Sequence, residues 1–285
     1  EFDVLGRHSW FLLKSFFKDG IIVSLTNEPL WLIINSGLAK LMPSETGVRT
    51  IIFFSATIVA WRCLNYNPKY LVLLLLILLL PHVIKYHLTG IRQGLAIAFF
   101  LAGWFSSKRL GKWLLIGASP FVHSSFFFIL LILSLVSLCK RIRLAGEIQI
   151  LSTAFAGLAV AFGLAYIAQL IGARQSNRYM FEMTEVSGVG FFFWSGILSL
   201  FVMGGKRFLR KHSFESSIIV FYLITYWFIE VTARIFESGL LLVLLAGLSL
   251  EGYRRKIFIG LIICFGALEW IMRLGSPRLG FGIGS

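Results

Sequence analysis

About ten runs of apolar residues, most flanked by Lys or Arg, leave this chain few folds to adopt. We read them at about 48–64, 70–86, 91–105, 108–122, 124–139, 148–172, 188–204, 217–233, 238–250 and 257–272. A helix crosses the roughly 30 Å hydrocarbon core with about 20 apolar residues. Shorter runs cross with local thinning or with flanking side chains that reach the interface. The chain is 58% hydrophobic and 14% charged, against about 45–50% and 25% in a soluble domain. This excludes a water-soluble globular domain, a disordered chain and a nucleic-acid-binding module. The net charge of +14 then reads as Lys and Arg in loops. The expected fold is all-α, a polytopic membrane helical bundle over 48–274. An outer-face segment, 1–47, precedes it, and a Gly-rich mobile tail, 275–285, follows. Cys63, Cys139 and Cys264 lie far apart, so we expect no disulfide framework. No cofactor and no metal site is expected. Glu1 opens the chain in place of Met, which leads us to expect a further segment, another span, ahead of it.

Topology turns on 106–143. The stretch reads either as one long helix or as two short helices turning at Pro120-Phe121-Val122-His123-Ser124-Ser125. Two helices put Arg62/Lys69, Lys108/Arg109/Lys112, Lys140/Arg141/Arg143, Lys206/Arg207/Arg210/Lys211 and Arg254/Arg255/Lys256 on one side. One helix breaks that alternation after Lys112. The positive-inside rule assigns the basic side to the cytoplasm. His123 then lies at the outer end of a helix, on the face that also carries Arg92, Arg174, Arg178, Arg234 and Arg273. Pairing with Glu182, Glu185 and Glu237 is one explanation for arginines there; an anionic ligand is the other.

Within 1–47 we expect two amphipathic helices lying in the outer interface, over 5–17 and 28–42, or a shallow re-entrant pair. Asn27 reads as the cap of the second and Pro29 as its first turn. Pro43 and Gly47 read as its end.

Polar groups at a membrane are costly and carry the functional hypotheses. Arg92 and Gln93 open a span, where a guanidinium fork and a helix N-terminus both suit a phosphate or carboxylate. An arginine that snorkels to headgroups is the competing reading. His123, beside Ser124 and Ser125, can move a proton near neutral pH; Ser124 reads as a cap. Asp3 and Glu28 are acids of the outer segment and candidate proton acceptors. Arg178 and Tyr179, with Arg174, offer a weakly specific platform for sugar and diphosphate. Glu230/Arg234 and Glu269/Arg273 have helical i, i+4 spacing and read first as ion pairs, with Arg234 kept as a substrate-binding candidate. The basic clusters of the opposite side read as topology signals.

Gly90-Ile91-Arg92-Gln93-Gly94-Leu95-Ala96, the basic Lys108-Arg109 and then Phe121-Val122-His123-Ser124-Ser125 resemble the EpsG family of Wzy-type polysaccharide polymerases. The likeness is specific over about 90–125. The outer segment, with Asp3, Glu28-Pro29 and Arg49 entering a span, is similar to the first outer loop of GT-C glycosyltransferases, although His8 and Trp10 stand where many EpsG-type sequences carry tyrosines. The resemblance implies a GT-C-like glycosyltransferase of a bacterial cytoplasmic (inner) membrane. Its substrate would be a polyprenyl-diphosphate-linked oligosaccharide on the outer face, and its partners membrane lipid and other polysaccharide-synthesis proteins, with no nucleic acid. Arg92 is then the first phosphate clamp, with His123, Arg178 and Arg234 as further clamps and Gln93, Ser125, Arg174 and Tyr179 around them. Asp3, Glu28 and His123 compete as base. A glycan ligase on the same donor and a glycolipid transporter or flippase are the alternatives.

Overall fold

The computed structural model describes residues 27–170, 188–228 and 232–274, with Ser276 and Leu279; the side chains of 164–170 fall outside that description. Among the described residues every regular element is helical, as the apolar runs require. The chain packs as two compact units, Glu1–Phe126 with Glu269–Ser285, and Phe127–Leu268.

The first unit contains α1 (Pro29–Leu41), α2 (Ser44–Leu64), α3 (Leu71–Leu78, reached through a 3₁₀ turn at Pro68–Tyr70), α4 (Pro81–Leu88), α5 (Ile91–Trp104) and α6 (Arg109–Val122). Helix α5 is its centre and packs on α2, α4 and α6. Small residues make this possible. A Cβ at Gly94 would stand 2.6 Å from the Tyr86 carbonyl oxygen of α4, and one at Gly103 would stand 2.8 Å from the Lys112 carbonyl oxygen of α6. Backbones approach this closely only where side chains are absent.

Helix α1 is present, but Asn27 does not cap it. Glu28 holds the N-cap position with φ 59° and ψ 53°, and makes no side-chain cap bond. Pro43 is the N-cap of α2, and Gly47 is buried inside α2 rather than ending α1. The run at 70–86 is broken: Pro68–Leu78 and Pro81–Leu88 meet at 65°. Pro81 is the cause, because the residue before a proline is pushed out of the helical region, and Leu80 has ψ 135°. The stretch 106–143 does form two helices turning at His123. Pro120 lies in the last turn of α6, where it has no N–H for the Ile116 carbonyl. The Ser119 hydroxyl donates to that oxygen instead, at 2.7 Å.

The second unit takes in all but the first residue of α7 (Phe126–Arg141), then α8 (Gly146–Leu170), α9 (Val189–Met203), α10 (Gly205–Lys211), α11 (Ser213–Thr225), α12 (Thr232–Gly247) and most of α13 (Gly252–Leu274). Helix α11 packs on α8, α9 and α12. The Thr153 hydroxyl of α8 donates to that of Ser217 on α11 at 3.0 Å. Gly239 of α12 admits Ile218 and Ile129, and Gly247 lies against the Phe258 ring. At Gly205, φ 81°, the chain turns by 113° from α9 into α10.

The outer surfaces are apolar. Phe53, Trp113, Phe155, Phe192 and Met272 are all exposed, more apolar surface than a soluble monomer shows. Ser44–Leu64, Gly146–Gly163 and Gly252–Leu274 are long and apolar enough to cross a membrane, and two bent pairs raise the number to five among the described residues. The shorter apolar helices α5 and α11 have 14 and 13 residues, or about 20 Å each. The chain is thus built as an all-α membrane protein.

Candidate functional site

Glu28 brings the site together. Its left-handed backbone at the entry to α1 is uncommon for a non-glycine residue. Its side chain leaves the helix end unserved and meets residues far along the chain. Nη1 of Arg92, in the first turn of α5, donates to Glu28 Oε2 at 2.7 Å. Nδ1 of His123, in the turn after α6, is 2.8 Å from Glu28 Oε1. The backbone N–H of Ser124 donates to that same oxygen at 3.0 Å. All four residues belong to the first unit.

The carboxylate is the buried member of the group. Its side chain is 9% exposed, against 17% for His123 and 43% for Arg92. Burial alone would raise its pKa. The hydrogen bond and charge of His123, the charge of Arg92 and the Ser124 amide outweigh that and hold it at about 2, below the ordinary 4.5. Glu28 is therefore a fixed negative charge at neutral pH and a weak proton acceptor. It orients its neighbours. With Nδ1 turned to a carboxylate, a neutral imidazole carries its proton on Nδ1 and keeps a lone pair on Nε2. Arg92 has five N–H donors, of which one serves Glu28.

Close packing supports this arrangement. Gly94 follows Arg92 on α5, and a Cβ there would also stand 3.1 Å from His87 Nδ1. His87 Nδ1 in turn lies 3.3 Å from the Ser55 hydroxyl of α2. The first turn of α5 is thus held against α4, and α4 in turn against α2.

Of the residues expected at the site, Arg92, His123 and Glu28 come together. Gln93 and Ser125 are buried, each next in sequence to a member of the cluster. The Ser124 contribution to the cluster is its backbone amide. Arg234 is exposed on α12, in the second unit. Asp3, the helix at 5–17, Arg174, Arg178, Tyr179, Glu182, Glu185 and Glu230 lie outside the described residues, as does most of the tail.

The residue pattern missed one pair. Glu269, expected to face Arg273, has its Oε2 2.6 Å from Nδ1 of His82. The neighbouring Trp270 donates its indole N–H to the Leu79 carbonyl at 3.1 Å. Both contacts fall at the break between α3 and α4. Pro81 was the available signal, since a broken helix exposes carbonyls that need donors.

Among the described residues no group of His, Cys, Asp and Glu is arranged to hold a metal ion. No family model, curated protein or solved structure matches the chain.

Proposed function

We propose that the protein is a membrane polysaccharide polymerase. It joins polyprenyl-diphosphate-linked oligosaccharide units on the outer face of a bacterial cytoplasmic membrane and releases polyprenyl diphosphate. The finer architecture, about ten spans with a GT-C-like outer segment, belongs to the same proposal. The observation that carries it is one buried carboxylate holding an arginine and a histidine within hydrogen-bond distance.

In this reading Arg92 binds the diphosphate of the donor. Preorganised cations stabilise negative charge as it develops on a leaving oxygen. The acceptor hydroxyl attacks the anomeric carbon and the bond from that carbon to the diphosphate oxygen breaks. The electron pair leaves on the diphosphate. The hydroxyl proton passes to Nε2 of His123, and Glu28 stabilises the imidazolium so formed, in the manner of an acid that orients a catalytic histidine. Glu28 is then a positioning residue, and this reading gives the role of base to His123.

The test is a length assay with purified protein and lipid-linked oligosaccharide. Wild type is expected to yield a ladder of extended chains. Arg92→Ala should lose 10²–10³ in rate, about 2.7–4 kcal/mol, with folding retained. Full activity in that variant removes Arg92 from the site. Extension by a single transfer to a different acceptor would identify a ligase.

A second reading has an observation of its own. The bent pair α3–α4 and the His82–Glu269 contact place ionisable groups at a discontinuous helix, as substrate sites of transporters do. Liposomes in which lipid-linked sugar changes leaflet without changing length would favour it.

A further inference from the structure

The basic residues around the turn from α7 to α8 read, in the sequence, as topology signals alone. Their arrangement carries more. Lys140 and Arg143 from the end of α7 and Lys206 and Arg210 from α10 line one hollow of about 620 Å³. The facing carboxylate is Glu147, at the start of α8. Among the described residues no ion pair joins any of these cations to a carboxylate. Four cations against one acid make a strong, uncompensated positive field.

The hollow is built by fixed elements. A Cβ at Gly146 would stand 3.0 Å from the Arg210 backbone nitrogen, so the start of α8 rests directly on α10. Arg143 has φ 60°. The Leu144 N–H donates to the Cys139 carbonyl at 2.9 Å, and the Arg143 N–H to that of Lys140 at 3.0 Å. This is a helix end of the kind that places glycine in the left-handed position. An arginine held there is strained, and strain of this kind accompanies function.

The same segments expose large apolar side chains: Leu138, Ile142, Ile148 and Leu151. A soluble anion has no use for such neighbours, whereas acyl chains do. We propose that this hollow binds the phosphate of an acidic phospholipid, whose chains lie along the exposed apolar residues of α7 and α8. Basic pockets between membrane helices recognise headgroups in this way. The site belongs to the second unit and does not depend on the polymerase reading.

The experiment is native mass spectrometry of the purified full chain in detergent, where membrane orientation plays no part. The probes are phosphatidylglycerol, phosphatidylcholine and inorganic phosphate. Wild type should retain phosphatidylglycerol in preference to phosphatidylcholine, and millimolar inorganic phosphate should not displace it. Each cation removed should weaken retention about fivefold, the equivalent of about 1 kcal/mol. Arg143→Gly separates binding from folding: it should weaken retention while the thermal midpoint stays or rises, because glycine suits the left-handed position. Glu147→Gln should strengthen retention several-fold. Equal retention of the two lipids, displacement by inorganic phosphate alone, or unchanged retention in Arg143→Gly would each overturn the proposal.

Discussion

Arg92 in the first unit and Arg143 in the second are the same side chain in opposite circumstances. Arg92 has a carboxylate oxygen at 2.7 Å, and a histidine and a backbone amide share that carboxylate. Arg143 has neighbours of its own sign and one acid across a hollow. A paired guanidinium gives up net charge and gains a fixed direction. An unpaired one keeps its field and its freedom. The first arrangement suits chemistry, where a shift of 1 Å matters. The second suits recruitment, where attraction matters more than angle and weakens as salt rises.

Acid should separate the two regions most strongly. The pKa of Glu28 lies below its ordinary 4.5 at about 2. The stabilisation it contributes is therefore complete above pH 4.5 and is lost as the pH falls toward 2. Its size is about 3 kcal/mol. Thermal midpoints measured from pH 6 down to pH 2.5 should fall in wild type and fall less in Glu28→Gln, which lacks the charge at every pH. Equal slopes in the two proteins would mean that the carboxylate does not hold the first unit together. Lipid retention at the α7–α8 hollow has no buried acid to lose.

A smaller effect should come from the platform under Arg92. Gly94→Ala places a methyl group 2.6 Å from the Tyr86 carbonyl oxygen. Overpacking of this kind costs about 1–3 kcal/mol. The variant should lower the thermal midpoint and the polymerisation rate while leaving phosphatidylglycerol retention unchanged. Retention that falls with activity would show that the two regions respond as one.

Local rules made part of this legible. The turn at His123 follows from Pro120 and from the alternation of basic clusters, and the start of α1 follows from Pro29. Arg92 and His123 were readable because a charge at a helix end stands out in an apolar chain. Glu28 was readable as an acid ahead of the first clear span, but its contacts were not. Its carboxylate meets Arg92 and His123, residues that no local window around Glu28 contains. The break at Leu79–Leu80 was obscured by a continuous apolar, Leu-rich run over 71–80, although Pro81 marks it. His82 with Glu269 was harder still, because Arg273 at i+4 offered a nearer partner. The α7–α8 hollow was hidden for another reason. Basic residues are expected in the loops of any membrane protein, so their convergence from separate helices carries no mark in the sequence.

The most direct test of the account is a double-mutant cycle on Glu28 and His123, read as polymerisation rate with lipid-linked oligosaccharide. Residues that act as one unit give losses that do not add. The Glu28→Gln and His123→Gln double variant is expected to be no slower than the slower single variant. Losses that multiply in the double variant would show two residues acting separately, and would contradict a carboxylate that works through its histidine.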